Sequence, residues 1–162
     1  MEPNIKLLLT EFSNLPRFSD KRINYSNSNK ALVLNCFVKF KGKILLLKRS
    51  NKVHAYKEMW NSIGGFIDED KSLNKKVLEE LEEEINISKE NIKKIIYTKP
   101  YEFYDKDINK KWIICPVLVE LYKKPKIILN WEHTESKWIK PEQLKDFNIV
   151  PKLDKVLNKL FY

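Results

Sequence analysis

The chain has 162 residues, 43% of them hydrophobic and 12% aromatic, enough for one domain with a packed core and too apolar for a disordered chain. Its net charge is +9, yet apart from Arg17, Arg22 and Arg49 its 31 basic residues are all lysines spread along the sequence. Nucleic-acid recognition favours arginine forks with interleaved aromatics, so nucleic acid is not the expected partner, and the basic surface suits small phosphate-bearing anions or plain solvation.

Scarcity narrows the chemistry further. Gly42, Gly64 and Gly65 are the only glycines, and His54 and His133 the only histidines. A GxGxxG turn, a phosphate loop, a GxSxG elbow and an HExxH zinc site are therefore excluded. No apolar run reaches membrane-spanning length, and Met1-Glu2-Pro3-Asn4 does not begin a signal peptide. Cys36 and Cys115 each sit inside an apolar run and read as free, buried thiols, so the expected location is a reducing cytoplasm.

In chain order, residues 4–12 suit a short helix or strand, and residues 13–30 are polar and aperiodic, a connecting segment. Residues 1–30 are thus expected as an N-terminal extension before a domain at 31–162. ALVLNCFVKF (31–40) and ILLLKR (44–49) read as strands joined by the turn Lys41-Gly42-Lys43. Beyond Trp60 and Ile63-Gly64-Gly65-Phe66, Ser72 caps a helix over 73–85, in which Leu73, Val77, Leu78, Leu81 and Ile85 are spaced for one apolar face. Asn86 suits the left-handed residue that ends it. Strands follow at 92–98, with an extension near 101–104, and at 111–122, where Pro116 suggests an edge or a bulge. A short strand at 136–139, helical turns near 141–146 and an amphipathic helix over 151–161 close the chain. Strands interleaved with helices make the class α/β or α+β.

Glu79, Glu80, Glu82, Glu83 and Glu84 crowd one helix, and positions 80, 83 and 84 share a face. Such crowding costs stability unless cations intervene, and Mg²⁺ prefers oxygen ligands shared with substrate phosphates. Read from Gly65, the pattern G-x5-K71-x7-E79-E80-L81-x-E83-E84-x-N86-I87 resembles the Nudix box, G-x5-E-x7-R-E-U-x-E-E-x-G-U with U apolar. Trp131-Glu132-His133 and Trp138-Ile139-x-Pro141-Glu142-x-x-Leu144 resemble the segment that closes many Nudix domains.

The resemblance implies an α/β/α sandwich with a mixed sheet and metal-dependent hydrolysis of a phosphoanhydride in a nucleoside diphosphate derivative. Nucleoside triphosphates, dinucleoside polyphosphates and nucleotide sugars all fit. It implies Glu80, Glu83 and Glu84 as ligands of Mg²⁺ or Mn²⁺ with the Gly64 carbonyl, and Glu83 and Glu84 as catalytic. Glu132 or Glu135 is the expected base from outside the box. Arg49 is the expected phosphate contact, and Phe103 and Tyr104 are the expected stacking residues. A homodimer is a further option the family offers.

Three box positions depart from the pattern: Lys71 for Glu, Glu79 for Arg and Asn86 for Gly. The two charge reversals either weaken the metal site or form the same ion pair with its signs exchanged. They also support an alternative, a Nudix domain of reduced catalysis that binds nucleotide or RNA. An isopentenyl diphosphate isomerase, suggested by Trp60-Asn61-Ser62, is disfavoured because Gly64 stands where those enzymes need a cysteine.

Overall fold

The computed structural model describes residues 1–161. Helix α1 (Ile5–Leu9) runs into a 3-10 turn at Thr10–Phe12, and an irregular stretch leads to β1 (Lys30–Phe40) and β2 (Lys43–Arg49). There follow β3 (Trp60–Asn61), β4 (Ile63–Phe66), α2 (Leu73–Ile85), β5 (Ile92–Tyr97), β6 (Tyr101–Asp105), β7 (Lys110–Leu121), β8 (His133–Ile139) and α3 (Leu153–Phe161). Among the described residues no helix is long and apolar enough to cross a membrane.

The strands form one mixed sheet whose spine is the parallel pair β1–β7, in register from Lys30 opposite Lys111 to Lys39 opposite Glu120. Strand β2 returns antiparallel through Lys41 and Gly42, whose φ values of 46° and 77° give the tight hairpin its hand. Strand β4 pairs with the first half of β1, while β3 and β8 flank β2. Strands β5 and β6 share the far side of β7.

Period-two alternation along the spine fills two cores. Leu32, Leu34, Cys36 and Val38 of β1 and Ile113, Cys115, Val117 and Val119 of β7 meet Leu73, Val77, Leu81 and Ile85 of α2. On the other face Phe37, Ile114 and Leu118 meet Leu153, Val156 and Leu157 of α3. The sheet thus lies between helices, the α/β/α arrangement expected. Burying each of these large side chains contributes about 1.5–3 kcal/mol, so the two cores hold the layers together.

Helix α2 starts and stops where its sequence requires. The Ser72 side chain accepts from the Lys75 N–H (3.2 Å), and Asn86 takes φ 57° and returns its N–H to the Leu81 and Glu82 carbonyls. The expectation for Pro116 does not hold: β7 is paired on both sides. The Pro116 carbonyl accepts from Thr98 (3.4 Å), so its nitrogen faces the gap between β5 and β6, where no ladder bond is lost. The strand expected at 136–139 begins earlier, at His133, because it pairs with β2 as far as Arg49.

The N-terminal residues pack on the α2 side. Ile5, Leu9, Phe12, Ile23 and Tyr25 are buried in the core that α2 closes. Tyr25 Oη donates to the Ile67 carbonyl (2.6 Å), and the Ile23 N–H to the Asp68 carbonyl (2.7 Å). The Asn74 N–H, in the first turn of α2, donates to the Glu2 carboxylate (2.9 Å).

Candidate active site

A cleft of about 670 Å³ opens between the β4–α2 junction, the Ser50–Met59 loop and the β6–β7 face. Gly64 and Gly65 of β4, Glu79, Glu80 and Glu83 of α2, Arg49 at the end of β2, and Glu132 before β8 all line it. The junction depends on Gly65. A Cβ there would sit 2.7 Å from Glu80 Cδ, so the missing side chain is what lets the helix carboxylate press against the strand.

Glu80 and Glu84, one turn apart, point inward and are 7% and 1% exposed, whereas Glu83 lies at the exposed lip. Glu84 is beneath the cleft floor, and its Oε2 has no hydrogen-bond partner. Burial first, then the charges of Glu80 and Glu132 and a hydrogen bond with Glu80, raise the Glu84 pKa well above the carboxylate range. His133 stands 3.9 Å from Glu84 Oε2, but burial, helped by Arg49, lowers its pKa to about 4, so it is neutral at physiological pH and gives no cation. Among the described residues the buried His133 Nδ1 meets no hydrogen-bond partner.

Two lysines supply charge instead. Lys76 Nζ holds Glu80 Oε1 at 2.8 Å; burial opposes its charge, but Glu80 and Asp68 keep its pKa above normal. Lys71 Nζ donates to both Glu79 oxygens (2.8 and 2.9 Å) and contacts Glu69 (2.8 Å), and its hydrogen bonds to Glu69 and Glu79 raise its pKa. The two charge-reversed box residues therefore meet. Arg49 Nε donates to the Ala55 carbonyl (3.0 Å), which fastens the Ser50–Met59 loop over one end of the cleft.

A family model described as NUDIX domain matches residues 30–160. The chain belongs to the Nudix family. No curated protein matches it in sequence, but solved structures do match in fold. A Caenorhabditis elegans Ap4A hydrolase binary complex shares 20% identity at a TM-score of 0.63, over 80% of this chain and 94% of that one. The Nudix domain of Shewanella oneidensis NrtR in complex with ADP ribose shares 20% at 0.68, over 81% and 86%. A Francisella tularensis bifunctional NMN adenylyltransferase/ADP ribose pyrophosphatase, complexed with AMP and a Mn ion, shares 20% at 0.65, over 96% of this chain and 44% of that one. Membership of the Nudix family supports a pyrophosphohydrolase, and these structures share its fold.

Within this Nudix domain the expected site residues separate into two groups. Gly64, Glu80, Glu83, Arg49, Glu132 and Phe103 line the cleft, with Glu84 directly below. Tyr104 and Glu135 do not. Tyr104 is exposed on the opposite face of β6 and bonds Asn109 (2.6 Å), and Glu135 is on the solvent side of β8, 3.7 Å from Lys48. Alternation along each strand sends these residues away from the cleft.

Sequence reasoning missed Asn35, Phe66, Arg22 and Asp68, all of which line the cleft. Asn35 had a signal, a lone amide within an apolar strand run, and it accepts from Ser62 Oγ. Arg22, in an aperiodic stretch, had none.

The donor chemistry fits the divalent cation on which Nudix hydrolases generally depend. Every candidate is a hard oxygen, the Gly65 cradle holds Glu80, and Glu84 keeps a buried oxygen without a partner. Among the described residues no three acidic, imidazole or thiol groups already converge on one point, since Glu83 stands apart at the lip.

Proposed function

We propose that this Nudix protein is a metal-dependent hydrolase that cleaves a phosphoanhydride bond in a nucleoside diphosphate derivative: a nucleoside triphosphate, a dinucleoside polyphosphate or a nucleotide sugar. The observation that carries the reading is the Glu80–Glu84 pair, two buried carboxylates pressed together under Gly65 at the floor of a nucleotide-sized cleft, with one oxygen left unpartnered. The nucleotides named for its solved relatives support the same substrate class.

Glu80, Glu83, Glu84 and the Gly64 carbonyl would hold Mg²⁺ or Mn²⁺. When bound, the cation neutralises the diphosphate, acidifies water and stabilises charge on the leaving phosphate. Arg49, half-buried at the cleft wall, presents a fixed positive charge to a phosphate oxygen. Glu132 is the general base. It lines the cleft, and burial together with the charge of Glu80 raises its pKa, which brings its proton affinity closer to neutral pH. Phe103 and Trp112 offer apolar faces to the remainder of the substrate.

A second reading, a nucleotide-binding module of weak turnover, has one observation in its favour: Lys76 already occupies Glu80. A hydrolysis screen over nucleotides with Mg²⁺ or Mn²⁺ separates the two. The expected result is metal-dependent product release, slowed at least about 100-fold in Glu84→Gln. Undiminished turnover in that variant would displace the site. Nucleotides that raise Tm without product at any metal concentration would establish the binding module.

A further inference from the structure

One wall of the cleft, formed by Phe66 and Trp112, is backed by residues that lie outside the family match. A row of rings runs from the N-terminal segment into the cleft. Phe12 meets Tyr25 edge-on (centroids 5.3 Å apart, planes at 87°), Tyr25 stacks on Phe66 (5.4 Å, 28°), and Phe66 stacks on Trp112 (6.4 Å, 30°). Phe12 and Tyr25 are 2% and 4% exposed, but Phe66 is 45% exposed, and both Phe66 and Trp112 face the cleft.

Both cleft-facing rings are held in place before any ligand arrives. Trp112 Nε1 donates to Tyr56 Oη (3.1 Å), which donates to the buried Asp105 carboxylate (2.6 Å). Phe66 rests on Tyr25, and the Tyr25 hydroxyl grips the next residue's carbonyl, Ile67 (2.6 Å). An exposed aromatic wall is costly in water unless something covers it, and a ring fixed in advance loses little freedom when it does so. The wall begins one residue after Gly65, against which Glu80 packs, so a ligand on Phe66 extends from the carboxylate site.

We propose that Phe66 and Trp112 are the platform on which the substrate's nucleobase stacks, and that the N-terminal segment sets this specificity through Tyr25. This rests on the reading of the substrate as a nucleotide. Phe66 touches the base; Tyr25 is a positioning residue that acts through Phe66. A planar π-face recognises any base, so the platform selects nucleotides over base-free polyphosphates and leaves the choice among bases to other contacts.

The test is binding in the presence of Mg²⁺. ADP, GDP, CDP, UDP and inorganic pyrophosphate are titrated against the full chain by calorimetry, and the tightest nucleotide is carried into the variants. Phe66→Leu, at an exposed position, keeps its fold and weakens nucleotide binding about fivefold or more, the low end of base–aromatic stacking, while pyrophosphate binding is unchanged. Tyr25→Leu gives the same selective loss, and Tyr25→Phe, which keeps the stacked ring but not the hydrogen bond to Ile67, recovers part of the affinity. Full nucleotide affinity in Phe66→Leu, or equal losses for nucleotide and pyrophosphate, would overturn the platform while leaving the hydrolase standing. Failure of the wild type to bind or cleave any nucleotide would overturn the substrate class itself, and the platform with it.

Discussion

Lys71 and Glu79 each carry the charge opposite to the one their box position calls for, and each change alone would set like charges against each other. Together they form a two-pronged pair, with Glu69 on the same ammonium. Their side chains are 21% and 37% exposed, so solvent screens the pair and its coupling should be about 0.5–1 kcal/mol. Restoring the family residue at one position is therefore predicted to do harm. Lys71→Glu would gather three carboxylates, Glu79→Arg would face Lys71, and the double change would recover most of the loss. A double-mutant cycle in urea reads this directly, and additive single effects would refute the pairing. The spacing of the box was legible in the sequence, as were Ser72 and Asn86 at the ends of α2. Whether Lys71 reached Glu79 was not, because that depends on how the β4–α2 loop folds back over the helix.

At the scale of the element, the β4–α2 junction is where geometry and chemistry meet. Gly65→Ala would drive a Cβ into the Glu80 carboxylate. The clashing group is the end of a side chain, which can swing aside, so stability should change little. Glu80 would lose its position, and the metal concentration for half-maximal turnover should rise about tenfold or more, as when a supporting contact of a metal ligand is removed. An unchanged metal requirement in a titration of turnover against Mg²⁺ would show that Glu80 is not held by this contact. Strand alternation was the legible signal that went unused: Phe103 and Tyr104 are adjacent on one strand, so only one of them could face the cleft. Pro116 was unreadable for a different reason. The break between β5 and β6 that accommodates it belongs to a neighbouring strand, and nothing in the run 111–122 records it.

For the whole molecule, the N-terminal segment is as much part of the core as α2 is. Ile5, Leu9 and Phe12 fall where the sequence suits a short helix or strand, but Ile23 and Tyr25 come singly in the polar run 13–30, which is why that run reads as a connector where the structure shows packing. Phe12→Ala should cost about 3–5 kcal/mol, as for other buried aromatics. On a domain of this size that lowers Tm by roughly 6–20 °C in a thermal melt, and a shift of a degree or less would mean the segment is only loosely attached. The parallel spine has a consequence for how the chain comes to be folded. Strand β1 is synthesised some eighty residues ahead of the strand it pairs with, Ala31 lying opposite Trp112, and the N-terminal segment leaves the ribosome before α2 exists to receive it. Until β7 emerges, β1 has an open edge rich in leucine, valine and phenylalanine, the kind of surface that recruits chaperones or other strands. Folding is thereby deferred until most of the chain has been made. Nascent chains arrested before residue 110 should remain protease-sensitive throughout, and those carried past residue 121 should gain protection at their N-terminal end first.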